Sequence, residues 1–247
     1  MDLYTAMIVC AALAAGGLLK GATGAGTPIV AVPVIAAIFD VRFAVAVLAL
    51  PNLCTNLWQL HTYRKHRLDG AWTARFVIAG AVGAGAGTYL LAIVHERILV
   101  LSLAIVITCY IILRLMRPQL KISEKIGRSL ATPVGLVGGL LQGAAGISAP
   151  VSVSYLNAVR LDRPVFIFTI SSFFAAMSLV QLPALAATGL LSTQLLLISL
   201  LALIPLLVAL PLGAYAARRL TPGGFDRLIL LLLAVLAVRL YASAILG

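Results

Sequence analysis

Eight apolar stretches divide the chain: 3–19, 21–39, 43–63, 76–95, 98–113, 129–159, 164–217 and 228–238, the last resuming after Arg239. A helix crossing about 30 Å of hydrocarbon needs about 20 residues at about 1.5 Å each. Most of the runs are long enough for that. No water-soluble particle could cover them, because 62% of the residues are apolar and only 10% charged, against about a quarter charged in soluble domains. The chain reads as an all-α integral membrane protein.

The same counts remove several function classes. A net charge of +11 would suggest nucleic acid in a soluble chain. Here it is assigned to loops facing anionic lipid, and no nucleic-acid partner is expected. Cys10, Cys54 and Cys109 are isolated, and His61, His66 and His95 lie at the ends of apolar segments. Neither a metal site nor a cofactor is expected from them. There is no phosphate loop, H-E-x-x-H or G-x-S-x-G. Ser171, Ser172 and Cys54 lack a mid-membrane His or Asp to activate them, so an enzyme is not expected. A cleaved leader is also not expected, because Asp2 stands where a leader carries basic residues.

Charge placement gives a topology. Four loops hold 14 of the 18 cationic residues: Arg64, Lys65, Arg67 and Arg75; Arg114, Arg117, Lys121, Lys125 and Arg128; Arg160 and Arg163; Arg218, Arg219 and Arg227. The positive-inside rule assigns these to the cytoplasm, and both termini then fall outside. Segment 129–159 begins and ends at a cytoplasmic loop, so it must enter and return. Two halves of about 15 residues give arms of about 23 Å that meet near the midplane. The long stretch 164–217 divides at Ala187-Thr188-Gly189.

The turn sequences repeat at an offset of 122. Gly16-Gly17-Leu18-Leu19-Lys20-Gly21-Ala22-Thr23-Gly24-Ala25-Gly26-Thr27-Pro28 aligns with Gly138-Gly139-Leu140-Leu141-Gln142-Gly143-Ala144-Ala145-Gly146-Ile147-Ser148-Ala149-Pro150, with eight of 13 positions identical. Asn56 to Leu60 aligns with Ser178 to Leu182 at the same offset. The chain is therefore expected to hold two repeats, 1–117 and 128–247, joined by a cytoplasmic linker, 118–127. Each would be a re-entrant or broken helical hairpin (3–39 and 129–157) followed by three transmembrane helices. Three is odd, so the copies should be inverted, an architecture typical of transporters.

The glycine motif closed by proline, once near the start of each half, resembles the sulfite exporter TauE/SafE family, also called TSUP. Size, duplication and both motifs carry the resemblance over essentially the whole chain. Two departures are visible: Gly24-Ala25-Gly26-Thr27 interrupts a run of glycines usual in the first motif, and a single proline, Pro150, closes the second. The resemblance implies a multi-pass transporter of the bacterial cytoplasmic membrane. Its cargo would be sulfite, organosulfonates such as sulfoacetate, or related small sulfur anions. A passive anion channel and an importer of a related compound stay open as alternatives.

Pro28 and Pro150 predict helix starts near the midplane, with Thr27 and Ala149 near the caps. Free N–H groups at such starts attract anions. Lys20 is the charge placed deepest in the membrane, and its repeat counterpart Gln142 is neutral. Asn52, Asn56 and Gln59 share one helix face, and Ser171, Ser172, Ser178 and Gln181 decorate the corresponding helix. The candidate substrate-binding set is Lys20, Thr23, Gly24, Gly26, Thr27, Asn52, Asn56, Gln59, Gln142, Gly146, Ser148, Ser171, Ser172 and Gln181. Helix packing competes as the role of the glycines, and interhelical bonding as that of the amides. Asp2, Asp40, Asp69, Glu96, Glu124, Asp162 and Asp226 all fall at segment ends or in loops. Transport without a carboxylate-coupled ion is the expectation, with a small anion and membrane lipid as partners and a homodimer left open.

Overall fold

In a computed structural model of the protein, residues 2–67, 70–116, 121–216 and 223–246 are described, and every regular element among them is helical. Asp69, Arg117, Arg218, Arg219 and linker residues 118–120 lie outside the described residues, as do the side chains of Glu124, Asp226 and Arg227. The helices are α1 (Leu3–Thr23), α2 (Thr27–Ile38), α3 (Val41–Thr62), α4 (Ala71–Ile93), α5 (Glu96–Met116), α6 (Glu124–Ala145), α7 (Ala149–Val159), α8 (Arg163–Ala187), α9 (Thr193–Ala216) and α10 (Gly223–Leu246). Six of them, α1, α3, α4, α5, α8 and α9, are long and apolar enough to cross a membrane over their described residues. This is a multi-pass membrane protein.

Local chemistry sets the helix ends. The Asp2 carboxylate accepts from Thr5 N at 3.2 Å and caps α1, and hydrogen bonding from the Thr5 side chain, then from its backbone N–H, holds its pKa below the usual carboxylate value. Asp40 caps α3 through Phe43 N at 2.7 Å, and Ser123 caps α6 through Ile126 N at 3.4 Å. Gly24 (φ 86°) and Gly146 (φ 73°) end α1 and α6 in the left-handed conformation. Their N–H groups return to the carbonyls of Lys20 and Gln142 at 2.7 and 2.9 Å. Three residues later α2 and α7 begin, each with proline in its first turn.

The hairpin arms are unequal, unlike the matched halves expected from charge placement. α1 has 21 residues and α2 only 12; α6 has 22 and α7 only 11. One arm of each hairpin is thus about 32 Å long and the other about 17 Å. The reason is local. Lys20 does not stop α1, which continues to Thr23, because its side chain is buried in protein rather than facing lipid. Likewise α6 starts at Glu124, four residues before Arg128, since Lys125 and Arg128 are exposed in its opening turns.

Glycines decide how the hairpins pack. A β-carbon on Gly139 would overlap the Gly80 carbonyl, one on Gly143 the Ala84 carbonyl, and one on Gly135 the Phe76 carbonyl. α6 and α4 therefore touch backbone to backbone, in parallel, through steps of four residues. α1 and α9 meet the same way: β-carbons on Gly17 and Gly21 would strike the Leu206 and Leu210 carbonyls. Each hairpin's long arm thus leans on a helix from the other half of the chain. Between these pairs α3 and α8 cross. Asn52 bonds Ser178 and Gln59 bonds Ser171, so the numbering rises along one helix as it falls along the other. The two are antiparallel. An apolar cluster built on Val30, Ile35, Val45, Leu103 and Leu240 packs one side of the crossing. Aromatic residues pack the other, with Phe76 stacked on Phe173 at 4.1 Å.

A charged clamp holds the start of α3. Arg42 pairs with Glu96 at 2.9 Å. It also donates to the Leu91 carbonyl at 3.0 Å and to the Val94 carbonyl, while Val41 N donates to Glu96 at 3.2 Å. The Leu91 carbonyl in the last turn of α4 and that of its cap residue Val94 are satisfied in this way.

Candidate functional site

The α3–α8 crossing carries a continuous polar seam inside an apolar protein. Lys20 is wholly buried. Its ammonium donates to Asn56 Oδ1 at 2.8 Å and to Asn52 Oδ1 at 3.3 Å, and stands 5.8 Å from the Phe174 ring centre. Asn56 Nδ2 returns to the Asn52 carbonyl at 2.7 Å, and Asn52 Nδ2 reaches Ser178 Oγ at 3.2 Å. Further along α3, Gln59 donates to the Lys20 carbonyl at 3.3 Å and accepts from Ser171 Oγ at 3.0 Å. The i, i+4, i+7 face expected on α3 is therefore an inward face, joined both to the first hairpin and to α8.

The second hairpin repeats part of this arrangement. Gln181 donates to the Gln142 carbonyl at 3.3 Å, as Gln59 does to that of Lys20. The side chains of the two paired positions differ in their fate. Lys20 is bonded twice, whereas Gln142 Oε1 is buried and has no hydrogen-bond partner.

A cavity lies where the halves meet. Thr27, Pro28, Val32, Val45, Leu48, Ala49 and Asn52 line it from one side, and Gln142, Gly146 and Gln181 from the other. Its free space is about 10 Å³, room for about one water. The start of α2 borders it directly. Asn52 links it to Lys20, which stands behind its wall.

The remaining expected site residues divide in two. Gly24, Gly26, Ser148 and Gly146 are buried in the two hairpin turns, and Thr27 Oγ1 crosses its hairpin to the Gly16 carbonyl at 3.3 Å. Ser148, the residue before α7, bonds Ser152 in its first turn at 3.1 Å. Thr23 is exposed and bonds its own helix at Leu19, and Ser172 bonds its own helix at Phe168. These last two do not join the seam. Sequence reasoning passed over Phe174, although the offset of 122 pairs it with Asn52. Nothing in the sequence signalled Thr55, which is buried and bonds back to the Pro51 carbonyl at 2.7 Å.

Among the described residues no group of three or more His, Cys, Asp or Glu is placed to hold a metal, and the three cysteines are free. Arg42 and Glu96 lie away from the seam, which holds a cation and amides with no carboxylate bonded to that cation. The profile of the family described as "Sulfite exporter TauE/SafE" matches residues 8–240. The chain belongs to that family. TauE/SafE proteins are transporters, and the match takes in both hairpin turns and the whole seam between them. Comparison with curated proteins and with solved structures returns no match.

Proposed function

We propose that this TauE/SafE protein exports small sulfur-containing anions, such as sulfite or organosulfonates, across the bacterial cytoplasmic membrane. The carrying observation is Lys20: a fully buried ammonium held by two amide oxygens, with no carboxylate bonded to it. An uncompensated cation in a low-dielectric interior attracts an anion. Neutral amides and hydroxyls around it let that anion leave again. The binding region is the seam and the two hairpin turns, centred on Lys20, Asn52, Asn56, Gln59, Gln142 and Gln181.

The two halves, 1–117 and 128–247, act as inverted copies with both termini outside. The antiparallel crossing of α3 and α8, and the exchange of partners between α1–α9 and α4–α6, support this reading. The cavity between the turns has room for about one water, less than a four-atom oxyanion needs, so admission requires a hairpin to move. That favours a carrier over an open pore. An interior-negative potential drives a monoanion outward with about 2.3 kcal/mol per 100 mV.

The test is efflux of sulfite and sulfoacetate from proteoliposomes with a potassium–valinomycin potential of either sign at constant pH. Faster efflux with a negative interior and no need for sodium supports an uncoupled anion carrier. Efflux indifferent to the potential refutes uncoupled export, and no flux of either anion refutes the substrate class.

A further inference from the structure

The two hairpins offer unlike chemistry from matched positions. At the end of each long arm the backbone surroundings agree: the carbonyl of Lys20 or Gln142 receives a glycine N–H at 2.7 or 2.9 Å and a glutamine Nε2 at 3.3 Å. The side chains do not agree. A lysine ammonium has three donors and no acceptor. Gln142 presents a carbonyl oxygen that is buried, unpartnered, and part of a residue that lines the cavity. Buried acceptors in proteins are nearly always bonded, so an orphan beside a cavity calls for a donor from whatever occupies that cavity.

A fully deprotonated oxyanion has no hydrogen to give. A singly protonated one has one hydroxyl hydrogen, together with oxygens that carry the charge. We infer that Gln142 selects the hydroxyl-bearing monoanion, so that of the two protonation states of sulfite the transported form is hydrogensulfite, HO–SO₂⁻, rather than the dianion. This rests on the sulfur-anion reading above. The hydroxyl donates to Gln142 Oε1, while the charged oxygens face the Thr27 end of the cavity and Asn52, the link to Lys20. No covalent step is involved, and Gln142 acts as a specificity residue.

The probe pair is hydrogensulfite and methanesulfinate, CH₃–SO₂⁻. Both are pyramidal monoanions, and a methyl replaces the hydroxyl in the second. A site built to bond a hydroxyl rejects an analogue lacking it far more strongly than an apolar pocket would. In proteoliposomes the wild-type protein should move hydrogensulfite at least tenfold faster than methanesulfinate. In Gln142→Leu the ratio should shrink to about threefold or less, through slower hydrogensulfite flux, with methanesulfinate flux retained as proof of folding. A ratio unchanged in Gln142→Leu, or an equal fall for both anions, would overturn the inference.

A second measurement needs no variant. Raising the pH through the second ionisation of sulfurous acid should lower wild-type flux per total sulfite by a larger factor than it lowers methanesulfinate flux, and an equal fall for both would overturn the inference. Sulfite flux that holds or rises would overturn the inference and leave sulfur-anion export intact. No flux of either probe at any pH would overturn both.

Discussion

Gln59 and Gln181 make the same bond 122 residues apart: each donates through Nε2 at 3.3 Å to the carbonyl four residues before the glycine that ends its hairpin's long helix. That carbonyl already receives the glycine N–H. The glutamines therefore tie α3 and α8 to the hairpin turns at the point where each turn reverses. Gln59 has a further partner, Ser171 Oγ at 3.0 Å.

The difference between the two glutamines is measurable. Gln59→Leu leaves the buried Ser171 hydroxyl without its acceptor, whereas no second partner of Gln181 is orphaned by Gln181→Leu. A lost buried bond costs about 1 kcal/mol, and more when the remaining group stays unsatisfied. Thermal unfolding in detergent should rank Gln59→Leu as the less stable variant. The reverse order would contradict the bonding described for α3.

Lys20→Met removes the charge and keeps much of the volume. Asn52 Oδ1 still receives Asn56 Nδ2 at 3.0 Å, so the seam survives in part. Sulfite efflux should fall at least tenfold, equivalent to about 1.4 kcal/mol or more of lost substrate stabilisation. Cys109→Ala, at an exposed position, should remain near wild type. Equal rates in the two variants would remove Lys20 from the site.

Glycine positions separate packing from backbone conformation. Gly139→Ala drives a methyl into the Gly80 carbonyl, and overpacking of this kind costs about 1–3 kcal/mol or more. Gly189→Ala meets nothing within 4 Å and bears only the strain of φ 75°, about 1 kcal/mol. Unfolding midpoints should place Gly139→Ala well below Gly189→Ala. Similar midpoints would mean that α4 and α6 can separate without cost.

At the start of α3, Glu96→Ala leaves Val41 N without its acceptor at 3.2 Å and deletes one ion pair whose side chains are 29% and 35% exposed. Solvent screening limits that loss to about 1 kcal/mol. Arg42→Ala should cost more, because the carbonyls of Leu91 and Val94 lose their donor as well. The extra cost should persist in high salt, where the Glu96 contribution fades. Melting curves at two ionic strengths would show it, and identical losses for both variants would refute it.

Much of this architecture was legible in the residues. Pro28 and Pro150 marked the starts of the short helices to within one residue, because a ring without an N–H suits a first turn. The spacing of Asn52, Asn56 and Gln59 marked the inward face of α3. The lengths of the hairpin arms were not legible, since a lysine in an apolar run looks like a boundary until something is found to bury it. Neither was the partner of that lysine. Two amides on α3 accept its hydrogens, and pairing across 32 or 36 positions follows from tertiary packing rather than any local pattern. The clamp of Arg42 on Glu96 was hidden for the same reason.

The exchanged hairpins bear on how such a chain could arise. Gly17 and Gly21 find their cover on α9, and Gly139 and Gly143 find theirs on α4. A half-length protein ending near residue 117 would keep its first hairpin but lose the helix that shields it. A second copy inserted the opposite way up would cover its bare glycine ridge. Fusing two such copies would turn an association that depends on concentration into one fixed by the chain. Halves joined in that way would be free to diverge, as Lys20 and Gln142 differ here.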